Sequence, residues 1–438
     1  MAETEPKRIN LAAYARLLRG NANFRRLWSA QVVSEIGDWF YVLAIYSLLL
    51  QLTGRASSVA LALVLQVLPL TFIGPTAGVV NDRIRRKQVM IAADLARMVI
   101  VLAMLLVRSA STVWLIYPLL VFETVMVAFF EPARSSVIPN ICAKEDVILA
   151  NTLSSTTWSL NLALGATLGG AVAALLGRDA VFVLNGLSFL ASAWLISRMQ
   201  FEEPHAELSG PLRAKDLVDF SPVLEGIRYV RNDVRLTAAL FVKAGLFMIG
   251  PGWVLFTVMG RQYFPVRLPG LDPERGAVLG MSLLLGARGV GALIGPLVSA
   301  SWAGHRESRL RLGILAGFLA AAAGYVLLGK APTLLWACAC AALGHVGGSV
   351  IWVFSTTLLQ LNTEDRFRGR VFSAELGFCM LTIATGAYLA GRSLDAGVSA
   401  RTVASVTGLL MLIPAAIWAW AMRAWRQEPS NLAAESQS

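Results

Sequence analysis

Charge is scarce in this sequence. Asp, Glu, Lys and Arg make up 15% of its 438 residues, against 56% hydrophobic residues and a mean hydropathy of +0.63. That balance excludes a string of soluble domains and describes a polytopic helical membrane protein. Cysteine is also rare, and its four copies make no framework. Cys142 falls in a loop and Cys379 in a helical stretch, while Cys338 and Cys340 are two apart and point to different helix faces. Neither a zinc site nor a structural disulfide is indicated, and no cofactor is expected. The sequence has no phosphate-binding P-loop and no nucleophile elbow, so neither ATP-driven pumping nor enzymatic catalysis is expected, and any drive would come from an ion gradient. Met1 to Gly20 is polar and mildly amphipathic, so no cleavable signal is expected.

Long apolar runs are what the chain has in abundance. A bilayer crossing needs about 20 apolar residues. Twelve such runs are legible, centred near Tyr41, Pro69, Val99, Phe122, Leu164, Ser188, Met248, Val290, Ala320, Gly344, Ile383 and Leu412. An even number puts both termini on one side of the membrane. If the N-terminus and every second loop are counted together, that side carries 26 of the 38 Lys and Arg residues and the opposite loops carry nine. Basic loops are retained in the cytoplasm, so both termini are expected there. The same asymmetry accounts for the net charge of +11 without a nucleic-acid partner.

The longest polar interruption, Gln200 to Arg235, divides the spans six and six. The expected organisation is a cytoplasmic segment 1–25, a six-helix bundle 26–199, a cytoplasmic linker 200–235, a second six-helix bundle 236–424 and a cytoplasmic tail 425–438. Leu217 to Val230 has helix-like spacing suited to the membrane surface. The halves also match at an offset of 221 residues: Ile73-Gly74-Pro75 with Ile294-Gly295-Pro296, Gly165-Ala166 with Gly386-Ala387, and Gly170 with Gly391. Two pseudo-symmetric six-helix bundles from a duplicated ancestor are therefore expected. Between the second and third spans the stretch Gly74 to Lys87 has one acid, Asp82, followed by Arg83, Arg85, Arg86 and Lys87, which reads as a tight cytoplasmic hairpin. Gly78 lies one helical turn before Asp82, on the same face.

The loop Gly78-Val-Val-Asn-Asp82-Arg83-Ile-Arg85-Arg86-Lys87 resembles the major facilitator superfamily's signature Gly-x-x-x-Asp-Arg-x-Gly-Arg-Arg, with Arg85 in place of its last glycine. Further motifs are similar to the branch of enterobactin-exporter-like and macrolide-efflux-like permeases: Asn21 to Trp28, Gly37-Asp38-Trp39, Phe130 to Arg134 with Ile138-Pro139, and Arg368 to Ser373. The exporter signature of the fifth helix is similar to Gly-Pro-x-x-Gly-Gly, which here reads Gly165-Ala166-Thr167-Leu168-Gly169-Gly170. The glycines permit close packing, and the bend that proline would give is absent. The resemblance implies a major facilitator fold and a rocker-switch carrier. It also implies that Asp82 and Arg83, with Gly78 and Arg86, join the cytoplasmic ends of the bundles through charged pairs, with Arg134 and Glu375 as candidate partners. A helix cap with basic membrane anchors is the alternative for that loop.

Several charges fall inside spans. Asp38 is 12 residues past Arg26, roughly 18 Å into the bilayer at 1.5 Å per residue. A charged acid is costly there, so Asp38, and Glu35 on the same face, are candidates for proton or substrate coupling. The alternative is a permanently paired acid, with Arg97, Lys243 or Arg288 as partner. Glu123 suits either a cavity wall or a buried pair, and Asp94 and Arg97, at i and i+3, can neutralise each other. Arg288 and Lys243 could each hold an anionic substrate group or serve as counter-ion to an acid. Glu375 lies near the Arg368–Arg370 segment, where an interfacial salt bridge is expected. Trp39, Trp158, Trp253 and Trp352 fall inside spans, where packing or lipid contact is the first expectation for any one of them and stacking on a flat or aromatic substrate the alternative. His345 is expected to be packed with one hydrogen bond. The expected function is proton-coupled efflux of an amphipathic small molecule, a siderophore or a macrolide-like drug, by a monomeric carrier, and with that reading goes the expected location, a bacterial inner membrane. A lysophospholipid carrier of the same fold and a non-transporting scaffold are the alternatives.

Overall fold

The computed structural model describes residues 11–143, 146–203, 228–231, 233–269, 271–303, 306–363 and 365–427. Every regular element among the described residues is a helix. Among the described residues twelve helices are long and apolar enough to cross a membrane, and each of the twelve expected centres lies inside one of them. Spans one to six are Ala22–Thr53, Ala56–Gly74, Arg86–Leu106, Val113–Ile141, Leu149–Leu176 and Arg178–Ser197. Spans seven to twelve are Arg235–Gln262, Pro273–Val298, Glu307–Leu328, Leu334–Asn362, Ala374–Asp395 and Ala400–Arg423. Much of the stretch expected to lie on the membrane surface, 217–227, falls outside the described residues. Large apolar side chains lie on the outside: Leu335 is 82% exposed and Leu175 is 73% exposed. Such a surface is stable when its solvent is lipid.

The described chain groups into two compact units, one of Met1–Ile45 with Phe72–Asp219 and one of Tyr46–Thr71 with Phe220–Ser438. Residues 46–71, the end of span one and most of span two, thus belong with the second half of the sequence. Within that second unit the Asp395 carboxylate accepts hydrogen bonds from the Ala56 and Ser57 amides at 2.7 and 3.2 Å, capping the start of the second span. Gly391 lies one turn earlier, and a Cβ there would come within 2.7 Å of Ala60 and 2.9 Å of Ser57.

The hairpin after the second span is tighter and more helical than its small residues suggest. The helix runs past Gly74 to Arg83, and the next begins at Arg86, leaving only Ile84 and Arg85 between them. Arg86 donates to the carbonyls of Asn81 and Ser136, and Lys87 to that of Met199 at 2.6 Å, just beyond the sixth span. These cations thereby satisfy backbone oxygens as well as marking the loop. At the same end of the first unit, the short helix Leu11–Gly20 buries Leu17 beside Phe24, Leu27, Met90 and Phe130.

The seventh span is broken. Its helix Val234–Val242 passes into a 3-10 turn, Lys243–Leu246, before a second helix, Ile249–Gln262. Pro251 explains the break: it has no amide hydrogen to give the Phe247 carbonyl, which accepts from Gly250 instead, at 3.2 Å. A Cβ on Gly250 would collide with the Ile383 carbonyl, so only glycine allows the eleventh span so close.

Candidate functional site

In the first unit, Gly37 has no room for a side chain, because a Cβ would meet the Asn185 and Ser188 side chains of the sixth span. The next residue, Asp38, is therefore held deep among the spans. Its Oδ2 accepts from Arg97 Nη2 at 2.7 Å. Arg97, on the third span, also gives its Nε to Glu123 Oε1 of the fourth span at 3.1 Å and stands 3.8 Å from Asp94 Oδ1. Ser192 of the sixth span donates to Asp94 at 2.6 Å, and the Phe189 ring lies 4.1 Å from the guanidinium carbon. One buried guanidinium thus faces three carboxylates. The pairing expected between Asp94 and Arg97 is the longest of the three, and Asp38 takes the shortest.

Glu35 lies one turn before Asp38. It accepts from Gln31 at 2.8 Å and from Asn161 of the fifth span at 2.9 Å, and no cation is at ion-pair distance from it among the described residues. Asp38 is 30% exposed, and Asp38, Glu35, Arg97, Glu131 and Arg134 line a cavity of about 330 Å³ together with Trp39 and Trp158. Gln31, Asn161 and Glu131 were not singled out from the sequence. Gln31 and Asn161 are polar residues inside apolar runs, a signal that could have found them. Glu131 has the same signal, an acid inside the fourth span, next to Pro132.

Gly165, Gly169 and Gly170 are all buried on the fifth span. A Cβ on Gly165 would come within 2.7 Å of Trp39 and one on Gly169 within 2.8 Å of Phe40, so these glycines set the distance between the first and fifth spans. Gly386, offset from Gly165 by 221 residues, does the same between the seventh and eleventh spans, against the Phe247 carbonyl and Pro251.

The cytoplasmic gate expected of these residues falls in part outside the described residues. The surroundings of Gly78 and the side chain of Asp82 lie outside the described residues, as do the side chains of Arg368 and Arg370. Arg83 is half-buried at its helix end. Arg134 pairs with Glu131 at 2.7 Å, three residues away on its own helix. Glu375 is 1% exposed and pairs with Lys243 at 2.9 Å. Lys243 also donates to Thr356 at 2.8 Å and lies 4.5 Å from the Trp352 ring centre. The other carboxylate oxygen of Glu375, Oε1, is buried without a hydrogen-bond partner among the described residues.

A family model described as Major Facilitator Superfamily matches residues 27–374. The chain belongs to that superfamily. It is a multi-pass membrane transporter, with a small-molecule substrate and a lipid bilayer as its surroundings. Among its relatives, macrolide efflux protein A of Streptococcus pyogenes is 24% identical over 378 residues, 85% of this chain and 89% of that protein. The uncharacterised MFS-type transporter YfiS of Bacillus subtilis strain 168 is 25% identical over 363 residues, 82% of this chain and 83% of that protein. A solved bacterial homologue of the human lysosomal transporter Spinster, inward-facing and unoccupied, has a TM-score of 0.66 at 15% identity, covering 95% of this chain and 98% of its own. The last likeness is one of fold.

Proposed function

We propose that this chain is a proton-coupled exporter of an amphipathic small molecule, a siderophore or macrolide-like drug, working by alternating access. The observation that carries this reading is charge balance: Arg97 is one cation among the carboxylates of Asp38, Glu123 and Asp94. Three ionised acids around one cation in a membrane interior would leave two uncompensated negative charges, so the cluster has room for protons that come and go. Asp38 is the member with access, because it lines the cavity while Asp94 is fully buried. Glu35, held only by neutral donors, is a second proton carrier on the same wall. The export direction rests on the relative named for macrolide efflux. The basic-loop census supports cytoplasmic termini in a bacterial inner membrane, and the carrier is taken as a monomer. Gly78, Asp82, Arg83 and Arg86 then serve as a latch that biases one state.

Purified protein in liposomes would test this, with macrolides, catecholate siderophores and cationic dyes offered under an imposed pH gradient. Uptake driven by the gradient and lost in Asp38→Asn is the expected result. Equal uptake by Asp38→Asn would refute the coupling role.

A lipid or lysophospholipid carrier is the second reading, and one feature favours it. An apolar groove of about 860 Å³ in the second unit runs past Phe241, Pro251, Leu389, Leu410, Ile413 and Trp420. Headgroup flipping in the same liposomes separates the two readings.

A further inference from the structure

Three cations lie near the middle of spans, and two of them have carboxylates. Arg97 has Asp38, Glu123 and Asp94, and Lys243 has Glu375. Arg288 of the eighth span has none at ion-pair distance among the described residues, although it is only 8% exposed. Its Nε and Nη1 are buried and make no hydrogen bond. What surrounds it is aromatic. The guanidinium carbon lies 4.2 Å from the centre of the Trp253 ring, and Tyr46 meets that ring edge-on at 5.7 Å. Two phenols, those of Tyr46 and Tyr325, lie near Arg288. Neither tyrosine has a free proton to offer: Tyr46 donates to Gln66 at 2.6 Å and Tyr325 to the Met248 carbonyl at 3.2 Å. His345, 6.1 Å from Tyr325, bonds the Ala341 carbonyl through Nδ1, which leaves its Nε2 buried without a partner. All these residues belong to the second unit.

An arginine keeps its charge in any protein environment. A buried cation without a counter-charge is strongly unfavourable, and stacking on one ring recovers only part of the loss. A cation with unused donors, walled by rings, is complementary to an anion on a flat apolar body. We propose that Arg288, with Trp253 and Tyr46, forms a binding site for the carboxylate of an aromatic or similarly flat monoanionic ligand. The proposal rests on the reading of this chain as a small-molecule carrier and names the chemical class that its second unit accepts.

The test uses the purified full chain in lipid nanodiscs, titrated calorimetrically with 2-naphthoate and with its neutral isostere 2-naphthamide. The anion should bind at least about tenfold more tightly than the amide, the scale of one charge-assisted hydrogen bond. Arg288→Met should bring that ratio to within about twofold, and Arg288→Lys should retain part of it. Because the cation has no partner to orphan, ligand-free Arg288→Met should melt no lower than the parent. Equal binding of the two probes, binding of neither, a ratio unchanged in Arg288→Met, or an Arg288→Met protein that melts far lower would each overturn the assignment. The Asp38→Asn protein should show the same anion preference, so the outcome does not depend on whether protons drive transport.

Discussion

Arg97 touches more of the candidate machinery than any other side chain, linking acids from spans one, three and four. Replacing it by methionine leaves those acids without a cation, and breaking a buried pair of this kind costs about 3–5 kcal/mol. Arg97→Met is therefore expected to lower the melting temperature of the purified protein markedly, whereas Asp38→Asn, which leaves Glu123 and Asp94 on the guanidinium, should melt close to the parent. The Lys243 and Glu375 pair allows a cleaner separation. Lys243→Met alone should destabilise by a similar amount, and adding Glu375→Leu should recover most of it, since replacing both partners by apolar groups is near neutral. A double variant no better than the single would mean that the pair is held for something other than mutual neutralisation. Much of this was legible. The depth of Asp38 follows from its distance to Arg26, and Arg97 was one of three cations able to reach it. The pairing of Glu375 with Lys243 was not legible, because its neighbours in sequence are basic and Lys243 is 132 residues away. Sequence distance hides such pairs.

Among the elements, the break in the seventh span and the glycines of spans five and eleven set how closely helices approach. Restoring the missing backbone bond with Pro251→Ala should straighten the seventh span. The expected outcome is unchanged or higher thermal stability together with lower transport in liposomes, because the break places Lys243 and Trp253 on separate helical segments. Gly250→Ala should instead fail to assemble stably, since its Cβ would collide with the Ile383 carbonyl. At the start of the seventh span, Asp233 accepts from the Arg235 and Leu236 amides as a helix cap. Burial pushes its carboxyl up, but the Arg235 guanidinium and amide and the Leu236 amide outweigh that and hold it below the usual carboxylate range. A carboxyl so depressed stabilises above its unfolded pKa, about 3.9, and loses that contribution as pH falls through its lower folded value. Asp233→Ala should therefore cost about 1 kcal/mol at neutral pH, shrinking toward zero in strong acid, as thermal melts at several pH values would show. The twelve spans were legible because hydropathy and length decide them. The cap that Asp395 gives the second span was not, because nothing local in the sequence marks an acid 339 residues from the amide it receives.

On the scale of the molecule, the first unit has the acid cluster and the second has an unpaired cation among aromatic rings. The positions offset by 221 residues from Asp38, Arg97 and Glu123 are Met259, Phe318 and Gly344, so the two halves share packing glycines at this offset but not the charges. A division of labour fits this asymmetry, with proton exchange in one repeat and ligand anchoring in the other. The central claim is that the Arg97 cluster exchanges a proton when substrate binds, and direct proton counting tests it. Purified protein in weakly buffered solution, mixed with a transported drug and followed by a pH indicator dye, should release protons in proportion to bound drug. The release should be absent from Asp38→Asn at equal drug occupancy. Equal release from the two proteins, or none from the parent while it transports, would contradict the account.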